Sequence, residues 1–152
     1  MSSEPTPAYV HAAQSIATRA HAGQTDKLGT DYITHPARVA ERVRHYSDTP
    51  AAIAAAWLHD VLEDTPTTTD ELREAGIPDH VIAAVELLTK RPGQTLEDYC
   101  ARVRSNPIAL AVKQADVDDN TSPERTPQLS AETRERLAQK YARTRHLLGV
   151  AP

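Results

Sequence analysis

The stretch Ala54-Ala55-Ala56-Trp57-Leu58-His59-Asp60-Val61-Leu62-Glu63-Asp64 decides the fold and contains the first candidate site residues. Its first half is apolar and rich in alanine, a composition that predicts a buried helix. Residues four apart on a helix share a face, so a helix through the whole stretch would stack His59 on Glu63 and Asp60 on Asp64. Burying such groups is costly unless each is paired or coordinated, and we therefore expect the chemistry of the protein here.

The rest of the chain also has the composition of a helical protein. It has 152 residues, of which 39% are hydrophobic and only 4% aromatic, with no phenylalanine. A core of alanine, leucine, valine and isoleucine suits close-packed helices better than a sheet, and this length favours one domain. We predict an all-α helical bundle, with a flexible N-terminal tail at residues 1–6 and a single domain over residues 7–150.

Capping residues predict where several helices begin. Threonine, serine or asparagine before an apolar periodic segment is typical of a helix N-cap, and proline is favoured at the first helical position. The predicted caps are Thr34 (with Pro36 at the first helical position), Thr49, Thr69, Thr95 and Asn106. A last amphipathic helix is expected over residues 131–148.

Charge and cysteine content restrict the partners and the compartment. The net charge is −4 and the sequence has no basic run, so a nucleic acid is not expected as a partner. Cys100 is the only cysteine, which rules out an intrachain disulfide and favours a reducing, cytoplasmic location. No apolar stretch reaches membrane-spanning length, so no membrane anchor is expected. The sequence does not indicate an oligomeric state.

Two histidines and two aspartates from three separate segments are candidate metal ligands, namely His35, His59, Asp60 and Asp116. Imidazole and carboxylate ligands together suit Mn²⁺, Fe²⁺, Co²⁺ or Zn²⁺. The apolar neighbours of Asp116 predict that its carboxylate is largely buried and needs a partner. Asn120, one helical turn further on, would face the same way.

Glu63 and Asp64 are candidate catalytic carboxylates beside these ligands. In metal-assisted hydrolysis such groups orient a metal-bound water or carry protons. Taken singly, each residue has an ordinary alternative: a loop histidine, a hydrogen-bonded surface pair or a charged helix end. We expect Asp118 and Asp119 to be such helix-end charges. The other histidines are expected to be surface or packing residues: His11, His21, His45, His80 and His146.

These motifs resemble the HD superfamily of metal-dependent phosphohydrolases, and in particular the hydrolase domain of RelA/SpoT-type alarmone enzymes and their stand-alone small relatives. The order of His35, His59-Asp60 and Asp116 carries the resemblance. Matching segments lie at residues 21–24, 27–30, 32–36, 56–65, 89–90 and 113–120. The resemblance implies an HD-domain helical bundle and an enzyme that removes the 3′-pyrophosphate of guanosine tetra- or pentaphosphate.

The resemblance also implies roles for individual residues. One divalent metal, Mn²⁺ in first place, would be bound by the four candidate ligands. Glu63 and Asp64 would match the acidic pair that activates the attacking water, and Asn120 would contact the nucleotide sugar. Lys27 is the basic residue that remains in the early loop, where the family binds its substrate.

The early loop departs from the family pattern. Thr25 and Asp26 stand where the family has arginines, one of which stacks on guanine, and Asp31 stands where it tends to have proline. Loss of a cation–π and phosphate-attracting group predicts an altered base pocket. Three alternatives stay open: an HD phosphohydrolase for another nucleotide phosphate such as a nucleoside monophosphate, a catalytically silent metal- or nucleotide-binding sensor, and a structural helical adaptor.

Overall fold

The described part of the chain is helical. The structure is a computed structural model that describes residues 6–123 and 126–150. No β-strand occurs in these residues, which confirms the all-α prediction. None of the described helices is long and apolar enough to cross a bilayer.

The α-helices are α1 (Ala8–Ala20), α2 (Thr34–Arg42), α3 (Pro50–Leu58), α4 (Val61–Asp64), α5 (Thr69–Glu74), α6 (Asp79–Leu88), α7 (Leu96–Arg104), α8 (Pro107–Asn120) and α9 (Ala131–Leu148), with 3₁₀ turns at Val43–His45 and Thr126–Gln128. Of the predicted tail at residues 1–6, only Thr6 lies within the described residues.

Helix α3 is the centre of the bundle. It packs against α1, α2, α6 and α8. Six of its nine residues are buried, and five of these six are alanines. Because alanine presents only a methyl group, the surrounding helices can approach the α3 backbone closely at these buried positions. Buried side chains from the other helices complete a single hydrophobic core, as expected for one domain.

Side-chain caps fix three of the predicted helix starts. Thr49 Oγ1 accepts a hydrogen bond from the Ala52 amide at the start of α3. Thr95 caps α7 and Asn106 caps α8 in the same way, the latter accepting from two backbone amides. Each cap satisfies a backbone N–H that has no partner within the helix.

Two predicted caps are wrong. Thr34 is the first residue of α2 and not its cap, since the amides of Thr34 and His35 already bond to the carbonyls of Asp31 and Tyr32. The Thr34 hydroxyl donates to the Asp31 carbonyl instead of accepting from the helix. Turn formation in the preceding loop therefore starts α2 two residues earlier than Pro36 suggests. At α5 the cap is Thr68, the residue before the predicted one.

The predicted continuous helix through His59 and Asp60 is also wrong. Helix α3 ends at Leu58, α4 begins at Val61, and the two residues between them form a turn. His59 Nδ1 donates to the Ala56 carbonyl at 2.7 Å, taking the acceptor that Asp60 N–H would use in an uninterrupted α-helix. The side chain of His59 thus closes α3 and lets the chain turn at the candidate site.

Candidate metal centre and active site

Three of the four predicted ligands converge at one point. Ring nitrogens of His35 and His59 and a carboxylate oxygen of Asp60 all lie within 4.8 Å of one another. His35 comes from the first turn of α2, whereas the other two form the turn between α3 and α4. The two histidines are buried. The start of α2 and the turn between α3 and α4 therefore meet at one point, as predicted.

Asp116, the fourth predicted ligand, reaches the same point from α8. Its Oδ1 lies 2.9 Å from His35 Nε2 and 3.5 Å from His59 Nε2. Lys113 Nζ donates to Asp116 Oδ2 at 3.0 Å, and the Asn120 amide donates to Oδ1 at 3.2 Å. Burial alone would raise the pKa of Asp116, but the Lys113 charge and the hydrogen bond from His35 hold it well below its usual range. A carboxylate is thus stabilised in a buried position.

The hydrogen bonds of His59 define its tautomer. Its Nδ1 faces the Ala56 carbonyl, which can only accept, so Nδ1 carries the proton in the neutral ring. The lone pair of that ring is then on Nε2, which is buried and has no hydrogen-bond partner. Asp60 Oδ2 is 3.0 Å from it but without hydrogen-bond geometry. A buried nitrogen lone pair among carboxylates is what a metal ligand requires.

Asp119 holds His35 from behind, and the prediction of a helix-end charge is wrong for this residue. Its side chain is fully buried, and Oδ2 lies 2.7 Å from His35 Nδ1. Arg38 donates to both Asp119 oxygens at 2.8 and 3.1 Å, and Arg42 donates at 3.3 Å. Despite burial, the hydrogen bonds from His35 and Arg38 lower the pKa of Asp119. The signal in the sequence is Arg38 and Arg42, one turn apart on the helix that carries His35.

Asp118, the neighbour of Asp119, points elsewhere. Its carboxylate binds Arg145 of α9 at 3.0 Å and accepts a hydrogen bond from Tyr46. It is half-buried, so the prediction of a helix-end charge holds in part, although the charge has a partner.

Tyr32 supports Asp60 and was not predicted as a site residue. Its hydroxyl donates to Asp60 Oδ2. Burial and the Asp60 charge raise the pKa of Tyr32, which keeps the phenol protonated as a donor. The Tyr32 ring also contacts His21, with ring centroids 4.9 Å apart. His21 is buried, in line with the predicted packing role.

The donor set fits a divalent metal ion. Two imidazoles and two carboxylates make a mixed nitrogen and oxygen site, the kind that suits Mn²⁺, Fe²⁺, Co²⁺ and Zn²⁺. The partnerless Nε2 of His59 and the hydrogen-bonded partners behind His35, Asp60 and Asp116 are features of a metal site with an ordered outer shell.

Glu63 and Asp64 lie on α4, directly after the turn that carries the candidate ligands. Glu63 Oε1 accepts a hydrogen bond from the Lys90 amide at 2.7 Å, which fixes the carboxylate. Burial and the charges of Asp60 and Glu63 raise the pKa of Asp64, as expected for a carboxyl group that takes up a proton readily. Within the described residues no hydrogen bond or ion pair joins His59 to Glu63, which were predicted to stack, but both line one small cavity.

Two cavities meet at the candidate ligands. The larger, about 450 Å³, is bounded by the early loop, the acidic pair, Asn120 and Tyr141 of α9. The smaller, about 200 Å³, lies against α6, α7 and α9. Both cavities include Asp60, Glu63, Asp116 and Tyr141 in their walls. The predicted substrate residues Lys27 and Asn120 both line the larger cavity.

Asp26 builds the early loop. Its Oδ1 accepts hydrogen bonds from the amides of Leu28 and Thr30 at 2.9 and 3.0 Å, and Thr25 pairs with Asp31 in an isolated β-bridge. Gly29 occupies the turn with φ of +82°, a conformation that strongly favours glycine. The Asp26 carboxylate therefore stabilises the backbone of its own loop.

Comparison with known proteins identifies one family. The sequence pattern of the HD domain family matches residues 13–151. A guanosine-3′,5′-bis(diphosphate) 3′-pyrophosphohydrolase of Aquifex aeolicus is 31% identical over 155 residues, covering 93% of this chain and 22% of the relative. The Haemophilus influenzae protein of the same name is 48% identical over 59 residues, which are 39% of this chain and 9% of the relative.

Other relatives carry a different name. A GTP pyrophosphokinase of Streptomyces coelicolor is 30% identical over 154 residues, covering 93% of this chain and 18% of its own length. The chain thus spans roughly a tenth to a fifth of the length of these curated relatives.

A solved structure has the same fold. It is that of a metazoan SpoT ortholog described as hydrolysing ppGpp, with a TM-score of 0.75, 22% identity, and coverage of 97% of this chain and 88% of that one. The fold agrees with the predicted HD-type bundle.

Proposed function

The chain belongs to the HD domain family, and from this we propose that it is a metal-dependent phosphohydrolase that removes the 3′-pyrophosphate of guanosine tetra- or pentaphosphate. The observation that carries the proposal is the convergence of a buried nitrogen and oxygen donor set with Glu63 and Asp64 at the junction of two cavities. The names of the 3′-pyrophosphohydrolase relatives support the choice of substrate.

We assign the metal to His35, His59, Asp60 and Asp116, with Mn²⁺ as the first candidate and Fe²⁺, Co²⁺ or Zn²⁺ as alternatives. A divalent ion at such a site polarises a phosphoryl oxygen and lowers the pKa of water. The protein itself supplies the orientation, because Lys113, Asn120, Tyr32 and Asp119 fix the ligands through hydrogen bonds. These four residues are positioning residues and not ligands.

Glu63 and Asp64 are assigned to proton transfer. The oxygen of a water molecule forms a bond to the phosphorus attached to the ribose 3′-oxygen, and the bond between that phosphorus and the 3′-oxygen breaks. The acidic pair accepts the proton from the water, and a proton is returned to the departing 3′-oxygen. The products are guanosine 5′-diphosphate or 5′-triphosphate with a free 3′-hydroxyl, and pyrophosphate. Asp64, with its raised pKa, is suited to hold the proton between the two events.

Substrate binding is assigned to the larger cavity. Lys27 offers a cation for a phosphate, and Asn120 offers an amide that contacts both Asp116 and the space where a sugar would lie. A volume of about 450 Å³ is within the range of small-molecule sites. The proposed partner is therefore a small nucleotide and not a nucleic acid, in keeping with the net charge of −4. The single cysteine favours a cytoplasmic location.

One observation favours a second candidate, an HD phosphohydrolase for another nucleotide phosphate. Thr25 and Asp26 offer no arginine for stacking on guanine. A silent sensor is less well supported, because Glu63 and Asp64 keep a carboxylate pair at the cavity that binding alone does not need.

A substrate panel tests the proposal. Protein stripped of metal and reloaded with Mn²⁺ is mixed with guanosine tetraphosphate, guanosine pentaphosphate and nucleoside monophosphates, and released pyrophosphate and orthophosphate are measured separately. We expect pyrophosphate from the guanosine alarmones only. Orthophosphate from another nucleotide, with the alarmones untouched, would establish the second candidate instead.

A further inference from the structure

Helix α4 carries both candidate catalytic carboxylates and has only four residues, from Val61 to Asp64. A single helical turn is not stable by itself, because too few hydrogen bonds offset the cost of ordering its residues. Glu63 is held through its side chain, which accepts from the Lys90 amide. In the described residues no hydrogen bond or ion pair restrains the Asp64 carboxylate. The direction of this group therefore depends on the backbone that carries it.

The Asp64 backbone is held by Gln24, a residue of the segment that follows α1. Gln24 Nε2 donates to the Asp64 carbonyl at 3.2 Å, across 40 positions of sequence. This carbonyl is one of the last four of α4, which have no partner within their own helix. The Gln24 backbone is ordered as well, since its N–H donates to the His21 carbonyl at 3.0 Å and its carbonyl accepts from the Tyr32 amide at 2.8 Å. The Gln24 side chain thus joins two ordered stretches of backbone.

His21 fixes the orientation of the Gln24 amide group. Its Nδ1 lies 2.9 Å from Gln24 Oε1. Because the Asp64 carbonyl can only accept, the NH₂ group of Gln24 faces it and the amide oxygen faces His21. Nδ1 of His21 therefore carries the proton and donates to Gln24. With one hydrogen bond at each end, the amide group has a single orientation.

Packing alone does not explain a histidine at position 21. The residue is 1% exposed, and its ring lies against Tyr32. Its buried Nε2 has no hydrogen-bond partner, which costs free energy that an apolar side chain would not cost. In the described part of the chain, the bond to Gln24 is the only hydrogen bond that the ring makes. That bond is what an apolar residue at this position could not provide.

We propose that Gln24 is a positioning residue for Asp64, and that His21 orients Gln24 for this role. The two residues form a clamp that fixes the end of α4 and with it the direction of the Asp64 carboxylate, which lines the larger cavity. Among the described residues, neither member of the clamp lines the two cavities at the candidate ligands. The clamp thus acts through Asp64 and not on the substrate. This assignment rests on the proposed function, which gives Asp64 its part in proton transfer.

Gln24→Glu tests the clamp with little change in shape. The new carboxylate still accepts from His21 Nδ1 but cannot donate to the Asp64 carbonyl. With Mn²⁺-loaded protein and guanosine tetraphosphate, we expect kcat to fall by about 10- to 100-fold, because a reacting group is misplaced. KM, Mn²⁺ affinity and thermal unfolding should stay as in the wild type, since the binding groups and the core are unchanged. Gln14→Glu is the matched control, with the same change at an exposed position of α1.

Two variants of His21 separate its hydrogen bond from its packing. His21→Asn and His21→Ala both remove the ring from Tyr32, but only asparagine keeps an amide donor near the place of Nδ1. We expect kcat to be several-fold higher in His21→Asn than in His21→Ala. Equal kcat values in the two variants would show that His21 contributes packing alone and would overturn its part in the clamp.

Hydrogen exchange tests the clamp without an assay of activity. Exchange of the Mn²⁺-loaded protein is followed by mass spectrometry in the peptide that contains α4. The Asp64 and Thr65 amides donate to the Asp60 and Val61 carbonyls. We expect them to exchange about fivefold faster in Gln24→Glu than in Gln14→Glu, because the end of α4 loses one hydrogen bond. Equal exchange in the two variants would overturn the clamp.

The outcomes distinguish the clamp from the proposed function. Faster exchange in Gln24→Glu, with no pyrophosphate release by the wild type, would support the clamp and contradict the function. Hydrolysis by the wild type with unchanged kcat in Gln24→Glu would support the function and overturn the positioning role. A loss of Mn²⁺ affinity in Gln24→Glu would place the effect at the candidate ligands, through Tyr32, and would overturn the assignment to Asp64.

Discussion

Among single residues, Asp119 has the most specific role in the arrangement of the candidate ligands. It is fully buried, binds His35 Nδ1 and is held in turn by Arg38 and Arg42. A carboxylate behind a metal-binding histidine fixes its tautomer and ring orientation. The sequence did not predict this role, because an aspartate near the end of a helix normally faces solvent and only the packing of α2 on α8 buries this one.

We expect Asp119→Asn to weaken Mn²⁺ affinity by about 10- to 100-fold, because the neutral amide no longer orients His35 as strongly. Calorimetric titration of the metal-free protein measures the effect. Asp118→Asn is the control, since it makes the same change one residue away, at a carboxylate that binds Arg145. Equal metal affinity in the two variants would contradict the positioning role.

Removal of a ligand should have a larger effect than removal of a supporting residue. Asp116→Ala should abolish stoichiometric metal binding and also destabilise the fold by about 3–5 kcal/mol, because Lys113 would be left as an unpaired buried charge. His59→Ala should lose the metal with a smaller change in stability. Metal content and thermal unfolding are measured together, with exposed His80→Ala as control. Full metal content in both ligand variants would refute the ligand assignment.

At the scale of secondary-structure elements, the early loop is where we expect the base of the substrate to be recognised. The resemblance to alarmone hydrolases suggests introducing an arginine at position 25 or 26, and the structure distinguishes these two positions. Thr25 lines the larger cavity, whereas Asp26 also caps the loop through its carboxylate. Arginine at position 26 would leave the amides of Leu28 and Thr30 without that acceptor.

We therefore expect Thr25→Arg to lower the KM for guanosine tetraphosphate several-fold through a cation–π contact with the base. Asp26→Arg should lower stability and activity together. Steady-state kinetics with guanine and adenine substrates, alongside thermal unfolding, separates recognition from loop stability. Improved activity in Asp26→Arg without improvement in Thr25→Arg would show that this reading of the loop is wrong.

Some helix ends could be predicted from the sequence and one could not. Caps that depend on one side chain and its own helix were predictable, as at Thr49, Thr95 and Asn106. The break after Leu58 was not, because helix periodicity continues across it and the ring of His59 competes for a backbone carbonyl. Local patterns therefore located the helices, while side-chain competition set one of their ends.

At the scale of the whole molecule, one helical core holds the segments that carry the candidate site residues. Buried α3 sets the distance between α2 and α8, and this packing brings His35 to Asp116 across 81 positions of sequence. The convergence of the candidate ligands was predictable from the sequence. The two cavities were not, because they depend on where α6 and α9 pack.

The central prediction is that Glu63 acts in catalysis at an intact metal site. Glu63→Gln keeps an oxygen for the Lys90 amide and removes only the charge, and its control is Glu86→Gln, at an exposed position of α6. Pyrophosphate release from guanosine tetraphosphate is followed in a single turnover, with metal content measured on the same samples.

We expect the Mn²⁺-loaded wild type and Glu86→Gln to release one pyrophosphate per alarmone, and Glu63→Gln to be at least about 100-fold slower with the same metal content. Wild-type rates in Glu63→Gln, or no pyrophosphate from the metal-loaded wild type, would contradict the account.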